Sequence, residues 1–375
     1  MRRWLVLAGI AGAAAIGVGV ATGGAPGHGN GGRFERAGAD ATWTTVLKSG
    51  FNLEGLTAGP DGNLYTTLRN TKPSQCQVVR VSPTNADPTS FTTVGFVDQT
   101  CSPSGLAFGP DGALYITGFG TGKDEIVRLV PDATAPPTAT VYATRVPQAN
   151  GIAFDRNGNL WATDGSNAVG IVWEIPPHAG VIDGVEAFRV PALKNDAGIG
   201  RTVFTTGNAN PQAIVTNGIA FTHDGDLLVG DTARGAIWKV QLDSQGRVVS
   251  PMGCDTTYKD DTLCLDDVLV QHPYLEGTDG ITLDTAGNIW AAANERNAIV
   301  VVAKDGSVQE FFRNAPGTDN LRNEGPLETP TSPVVVGHTF CVAQSDNGRR
   351  DNSPNTGGEV SNGGKVSCLD QPVDP

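Results

Sequence analysis

The sequence predicts an all-β fold, a six-bladed β-propeller closed by an N-terminal strand joining the last blade. Three observations carry this expectation: a recurring hairpin motif, the spacing of its copies, and a composition suited to tight turns. The motif reads EGLTAGPDGNLY at 54–65, SGLAFGPDGALY at 104–115, NGIAFDRNGNLW at 150–161, NGIAFTHDGDLL at 217–228 and DGITLDTAGNIW at 279–290. A sixth, degenerate copy, TSPVVVGHTFCVA, begins at Thr331. Successive copies start 50, 46, 67, 62 and 52 residues apart, and four-stranded units of this length are propeller blades. Gly (49) and Pro (24) are abundant and charged residues make up only 17%. Disorder needs the opposite balance, low hydrophobicity with high charge.

Each copy is an apolar run, a turn, and a second apolar run. Asp61-Gly62, Asp111-Gly112, Asn157-Gly158, Asp224-Gly225 and Ala286-Gly287 put glycine where a hairpin requires positive φ. Further strands follow, such as 170–175 and 185–190 after the third copy, and 235–240 and 267–272 after the fourth. The two long intervals carry insertions at Leu193–Asn210 and in the cysteine loop 254–264. The sixth unit supplies strands at 331–336, 339–345 and 363–369 and lacks a fourth, which Thr42–Lys48 can provide. Such a closure leaves no open sheet edge to template aggregation. Trp161, Trp173, Trp238 and Trp290 recur on strands and are expected between blades, and Asp346–Asn362 reads as a mobile loop.

Residues 1–26 read as a signal peptide: Arg2-Arg3, then a small-residue apolar stretch from Trp4 to Val20. Residues 27–41 read as a flexible linker, and 42–375 as one propeller domain. No other run approaches the about 20 apolar residues that span a bilayer, so the mature chain is expected to be secreted, off the membrane and monomeric. The formal charge of −13 repels phosphate backbones and argues against nucleic-acid partners. Six cysteines in an exported chain suggest disulfides. Position favours Cys76–Cys101, Cys254–Cys264 and Cys341–Cys368, the last across neighbouring antiparallel strands.

The first residue of each repeat carries the chemistry. Innermost propeller strands line the channel, so equivalent positions converge on the axis. They are Glu54, Ser104, Asn150, Asn217, Asp279 and Thr331. Two carboxylates and two amide carbonyls are hard oxygen ligands and suit one Ca²⁺, which takes six to eight oxygens; other divalent ions are possible. Close carboxylates repel unless a cation lies between them. No His or Cys occupies these positions, which argues against zinc or copper.

Over about 42–372 these repeats resemble the family of gluconolactonase, senescence marker protein and luciferin-regenerating enzyme, whose relatives include diisopropylfluorophosphatase and paraoxonase. The resemblance implies a calcium-dependent propeller hydrolase with the ion in the central tunnel. Glu54 matches the family's first-blade glutamate, Asn150 and Asn217 its two asparagines, and Asp279 its aspartate, proposed there as base or nucleophile. Ser104 has no ligand counterpart. There are also departures. The catalytic His pair of paraoxonases has no clear equivalent, and His272 is expected on an outer strand. Thr331-Ser332-Pro333 stand where diisopropylfluorophosphatase's second calcium has a His ligand.

The activity expected is hydrolysis of a lactone or other ester, with Glu54, Asn150, Asn217 and Asp279 as metal ligands and Asp279 also catalytic. Two other readings stand beside it. One is a non-catalytic extracellular propeller that binds a ligand or partner. The other is a lyase like streptogramin lyase, whose seven blades and His base fit less well. Asp164, Asp231 and Asn294 end second strands near the same rim; contact with substrate is one reading for them, and capping turns is the expected one.

Overall fold

The computed structural model describes residues 41–68, 75–98, 102–118, 124–200, 212–314, 326–346, 363–370 and 373. All of them belong to the unit Glu35–Pro375. The expected signal peptide, the linker up to residue 40, Cys101 and the stretch 347–362 lie outside the described residues.

Six sheets account for the strands. The first holds β2 (Leu56–Ala58), β3 (Leu64–Leu68), β4 (Gln75–Val81) and β5 (Thr92–Asp98). The second holds β6 (Pro103–Phe108), β7 (Leu114–Gly118), β8 (Ile126–Leu129) and β9 (Thr140–Thr144), with β13 (Ile182–Asp183) added in parallel to β9. The third comprises β10 (Ala149–Phe154), β11 (Leu160–Asp164), β12 (Ile171–Ile175) and β14 (Val185–Arg189). The fourth comprises β15 (Ile219–Phe221), β16 (Leu227–Asp231), β17 (Ala236–Val240) and β18 (Val268–Gln271). The fifth runs β19 (Thr278–Leu283), β20 (Ile289–Ala293), β21 (Ala298–Val302) and β22 (Val308–Arg313). The sixth takes β23 (Pro330–Val336), β24 (Thr339–Gln344) and β25 (Lys365–Leu369), and β1 (Trp43–Lys48) pairs antiparallel with β25. The inner strands β2, β6, β10, β15, β19 and β23 neighbour one another in that order, and β23 lies beside β2. The result is a closed ring of six blades. No α-helix occurs among the described residues, and no helix there is long and apolar enough to cross a membrane.

The turns follow from their sequence. In the first hairpin the Gly59 amide donates to the Asn63 carbonyl at 2.8 Å, and the loop residue Gly62 has φ 75°. In four of the five turns the neighbouring aspartate is a local anchor, and in the fourth Thr222 takes its place by accepting from the Asp226 amide. Asp61 accepts from the Tyr65 hydroxyl at 3.0 Å, and Asp284 accepts from the Trp290 indole at 3.0 Å. The glycine after the first residue of each of the first five repeats has a separate cause. A Cβ on Gly218 would stand 2.3 Å from the Asp279 carbonyl oxygen, and one on Gly105 2.2 Å from that of Asn150. Neighbouring inner strands therefore touch backbone to backbone at the axis, and only glycine permits it. Threonines tie the blades together further out: the Thr117 hydroxyl donates to the Asn150 carbonyl at 2.7 Å.

The core lies between blades. One cluster joins Trp161, Val172 and Phe188 of the third blade to Ile219, Val229 and Trp238 of the fourth. Another joins Leu56, Leu64 and Val79 of the first to Val334, Cys341 and Cys368 of the sixth. Trp161, Trp238 and Trp290 are fully buried; Trp173, on the opposite face of its blade, is only half-buried. Cys341 faces Cys368 in register and is bonded to it. That bond closes a loop worth roughly 3–4 kcal/mol on the chain-entropy model. Cys254 is bonded to Cys264. Cys76 is disulfide-bonded as well, while Cys101 lies outside the described residues.

The two insertions dock on each other, a contact no pattern in the sequence signals. Asn195 Nδ2 donates to Thr257 Oγ1 at 2.7 Å, and the Tyr258 hydroxyl donates to the Ala192 carbonyl at 3.0 Å.

Candidate functional site

All six first-of-repeat residues line one cavity of about 550 Å³ at the centre of the ring. Each sits at or just before the start of an inner strand, so closing the ring brings six distant positions together. Ser104, Asn150, Asn217, Asp279 and Thr331 are buried, and Glu54 is half-buried. The cavity is also lined by Gln148, Ser166, Asn167, Gln212 and Asn294, with Ile214 contributing an apolar side chain. No lysine, arginine, histidine or aromatic residue appears in this lining among the described residues.

A directed chain of hydrogen bonds sets the amides. The Ser104 hydroxyl donates to Asn150 Oδ1. Asn150 Nδ2 donates to Asn217 Oδ1 at 2.7 Å, and Asn217 Nδ2 to Thr232 Oγ1 at 3.0 Å. Thr232 then donates to the Thr278 carbonyl at 2.6 Å. Each amide oxygen accepts one bond and keeps a second lone pair.

The two carboxylates are in electrostatic conflict. Burial, and then the charge of Glu54, push the Asp279 carboxyl well above the usual carboxylate range, against hydrogen bonds from Asn294 and Asn217. Such a pair is relieved by a proton or by a cation. Among the described residues no three His, Cys, Asp or Glu side chains cluster as a metal site. The donors here are two carboxylates with two amide oxygens, a set that fits a hard, oxygen-seeking cation.

Asp164, Asp231 and Asn294 do not share one role. Asp164 caps a turn by accepting from the Ser166 amide at 2.7 Å. Asp231 accepts from the Arg234 amide at 3.0 Å and its guanidinium at 2.7 Å. Neither lines the cavity. Asn294 does, and it donates to Asp279 Oδ2 at 2.8 Å, which corrects the expectation of a turn cap. The reason is position. Ala149 pairs with Asp164 and Thr278 with Ala293, so Asn294 stands one step further along, past the end of β20 and at the start of the 3₁₀ turn Asn294–Arg296. Gly165 and Thr232 occupy the equivalent step; Gly165 lines the cavity and Thr232 binds Asn217. That one-residue offset is visible when the repeats are aligned. His272 is outside the cavity and accepts from the Tyr274 amide through Nδ1 at 3.1 Å.

Fold and site together define a six-bladed β-propeller with a polar, acidic central chamber. Within this class, residues 205–315 match the model of the SMP-30/Gluconolactonase/LRE-like region, a span that includes Asn217, Asp279 and Asn294. Among solved structures, a luciferin-regenerating enzyme is similar with a TM-score of 0.56 at 15% identity, covering 88% of this chain and 95% of that one. A calcium-binding protein, regucalcin from Agrobacterium tumefaciens, has a TM-score of 0.51 at 17% identity, covering 91% and 95%. The PQQ-bound aldose sugar dehydrogenase of Streptomyces coelicolor has a TM-score of 0.54 at 16% identity, covering 89% and 99%. At these identities the likeness is one of fold. No curated protein matches.

Proposed function

We propose that the chain is a secreted calcium-dependent hydrolase of a lactone or other ester, with the ion held in the central chamber. One observation carries this reading: four oxygen side chains from four blades, two of them carboxylates, meet in one cavity that no cationic side chain enters among the described residues. The match to the SMP-30/Gluconolactonase/LRE-like region supports it, as does the calcium-binding protein among the similar structures. Bonded cysteines fit an oxidising compartment.

Glu54, Asn150, Asn217 and Asp279 would hold the ion, with water completing its shell. Bound there, Ca²⁺ supplies a Lewis acid for a carbonyl oxygen. Asp279, held by Asn294 and Asn217, takes the proton of the attacking water. Gln148, Ser166 and Asn167 offer amide and hydroxyl groups to a substrate. This lining suits a small, hydroxyl-rich lactone better than an aromatic ester, since among the described residues it holds no aromatic side chain.

A lactone panel assayed with and without chelator, for wild type and Asp279→Asn, tests the reading. The expected result is turnover that chelator abolishes and that Asp279→Asn lowers by about 10³-fold. Undiminished turnover in chelator overturns the reading. Tight calcium binding without turnover of any ester points instead to a ligand- or partner-binding propeller, a use the fold also supports.

A further inference from the structure

We infer that Asn294, itself oriented by Gln212, is a positioning residue that fixes the plane of the Asp279 carboxylate. The inference rests on the calcium chamber proposed above. Asn294 Nδ2 donates to Asp279 Oδ2 at 2.8 Å. A carboxylate otherwise turns about its last bond. The bond to Oδ2, together with the one the carboxylate accepts from Asn217, sets its plane toward the ion.

The Asn294 amide cannot turn over. Gln212 Nε2 donates to Asn294 Oδ1 at 2.8 Å. A flipped amide would oppose NH₂ to NH₂ on one side and oxygen to carboxylate on the other, leaving buried groups unsatisfied at a cost of about 1–3 kcal/mol each. Gln212 is pinned in turn, because its backbone N–H donates to Glu295 Oε1 at 3.0 Å. Gln212, Asn294 and Glu295 are 7%, 4% and 2% exposed, so water does not replace these bonds.

A second feature keys the same turn to Asp279 from behind. The Asn294 backbone N–H donates to the Gly277 carbonyl at 3.0 Å. Gly277 has φ +74°, and a Cβ there would stand 2.5 Å from the Glu295 backbone nitrogen and 2.6 Å from Asn294 Oδ1. The chain entering β19 and the turn leaving β20 are thus built against each other, with the carboxylate and its donor as the meeting point. Gln212 comes from the long connection between the third and fourth repeats. That connection therefore acts on the fifth blade, through an amide pair.

The test is calcium titration by calorimetry on the full chain, for wild type, Asn294→Ala, Gln212→Met and the double variant. Melting midpoints in chelator and kcat and KM on the best lactone are read alongside. Gln212→Met keeps the backbone bond to Glu295 and deletes only the side-chain donor, so it reports even where Asn294→Ala folds poorly. Partners of metal ligands contribute about 10–100-fold in affinity or activity. Asn294→Ala is expected to weaken calcium about tenfold and Gln212→Met about threefold, with kcat falling and KM nearly unchanged. The double variant is expected to match Asn294→Ala alone, because Gln212 acts through Asn294. Unchanged calcium affinity in Asn294→Ala overturns the inference, and additive losses in the double variant overturn the role of Gln212. A wild type that binds no calcium overturns both the inference and the chamber. A wild type that binds calcium but hydrolyses nothing removes only the hydrolase reading, and the affinities still decide this one.

Discussion

Two kinds of carboxylate recur in the repeats, and the protein treats them in opposite ways. The turn aspartates are saturated by their own hairpins. Asp155 accepts from the Asn157 and Asn159 amides, each at 2.8 Å, and from Asn159 Nδ2 at 2.7 Å. Asp284 repeats the pattern with Ala286, Asn288 and Trp290. Burial works against the ionised form of Asp61, yet bonds from Asn63 and Tyr65 and the nearby Arg80 charge hold its carboxyl below the ordinary range. The chamber carboxylates have distant partners. Asp279 is held by Asn294 and Asn217 and opposed by Glu54, from the first blade. Local satisfaction makes a carboxylate a structural part. Convergence of like charges in a buried chamber makes it a site.

Removing one carboxylate of each kind breaks the comparison most sharply. Glu54→Gln is expected to weaken calcium on the order of 10³-fold, about 4 kcal/mol, by calorimetry. Its melting midpoint in chelator should hold or rise, since the repulsion of Asp279 is relieved. Asp284→Ala should do the reverse. Losing its bonds to two backbone amides, Asn288 and Trp290 is expected to cost about 2 kcal/mol in denaturant unfolding, with calcium affinity within about twofold of wild type. Lost affinity in Asp284→Ala, or lost stability in Glu54→Gln, would erase the distinction.

The chamber residues were legible in the sequence; the turns were too, through their glycines, but the anchoring role of Asp155 and Asp284 was not read there. The turn aspartates are local, and their donors lie within a few residues. The chamber residues were legible because repeats convert distance along the chain into proximity on an axis, so equivalence of position stood in for contact. Cys341–Cys368 was readable the same way, once the strands were placed side by side. Asn294 was not, because it was grouped with Asp164 and Asp231 although it stands one step beyond them. That one step carries it past the end of β20 into the 3₁₀ turn Asn294–Arg296, and so into the chamber. The docking of Asn195 on Thr257 was hidden for another reason: both lie in insertions, outside the repeat that made the rest predictable.

The glycine after the first residue of each of the first five repeats sharpens the comparison next, since it supports the site without touching its chemistry. Gly218→Ala would push a methyl to 2.3 Å from the Asp279 carbonyl oxygen and 2.7 Å from the Ile281 nitrogen. Overpacking against backbone is expected to cost about 3 kcal/mol, read as a lower denaturant midpoint. Because the neighbour that must move is Asp279's own peptide, calcium affinity should fall too. Gly62→Ala, at φ 75° with open space around it, should lose stability through backbone strain alone, about 1 kcal/mol, and leave calcium untouched. Equal effects of the two substitutions on calcium would mean that the inner strands can part without disturbing the chamber.

The smallest effect is the pH dependence of the calcium-free protein. Burial and Glu54 raise the folded Asp279 carboxyl well above the usual range. The stability from a raised carboxyl is fully present below its unfolded value, about 3.9. It is lost as the pH climbs to the folded value, because unfolding then releases a proton. In chelator the melting midpoint of wild type should therefore fall relative to Asp279→Asn as pH rises above the ordinary carboxylate range, then level off. Using the difference between the two proteins cancels Asp164, Asp231 and Asp267, whose burial raises their carboxyls. It also cancels Asp87 and Asp132, held low by bonds from neighbouring residues. Saturating calcium binds the ionised carboxylate and stabilises the folded state by mass action, so wild type should then overtake Asp279→Asn, by more at higher pH. A wild-type midpoint that tracks Asp279→Asn at every pH in chelator would show that Glu54 and Asp279 do not oppose each other in the folded chain.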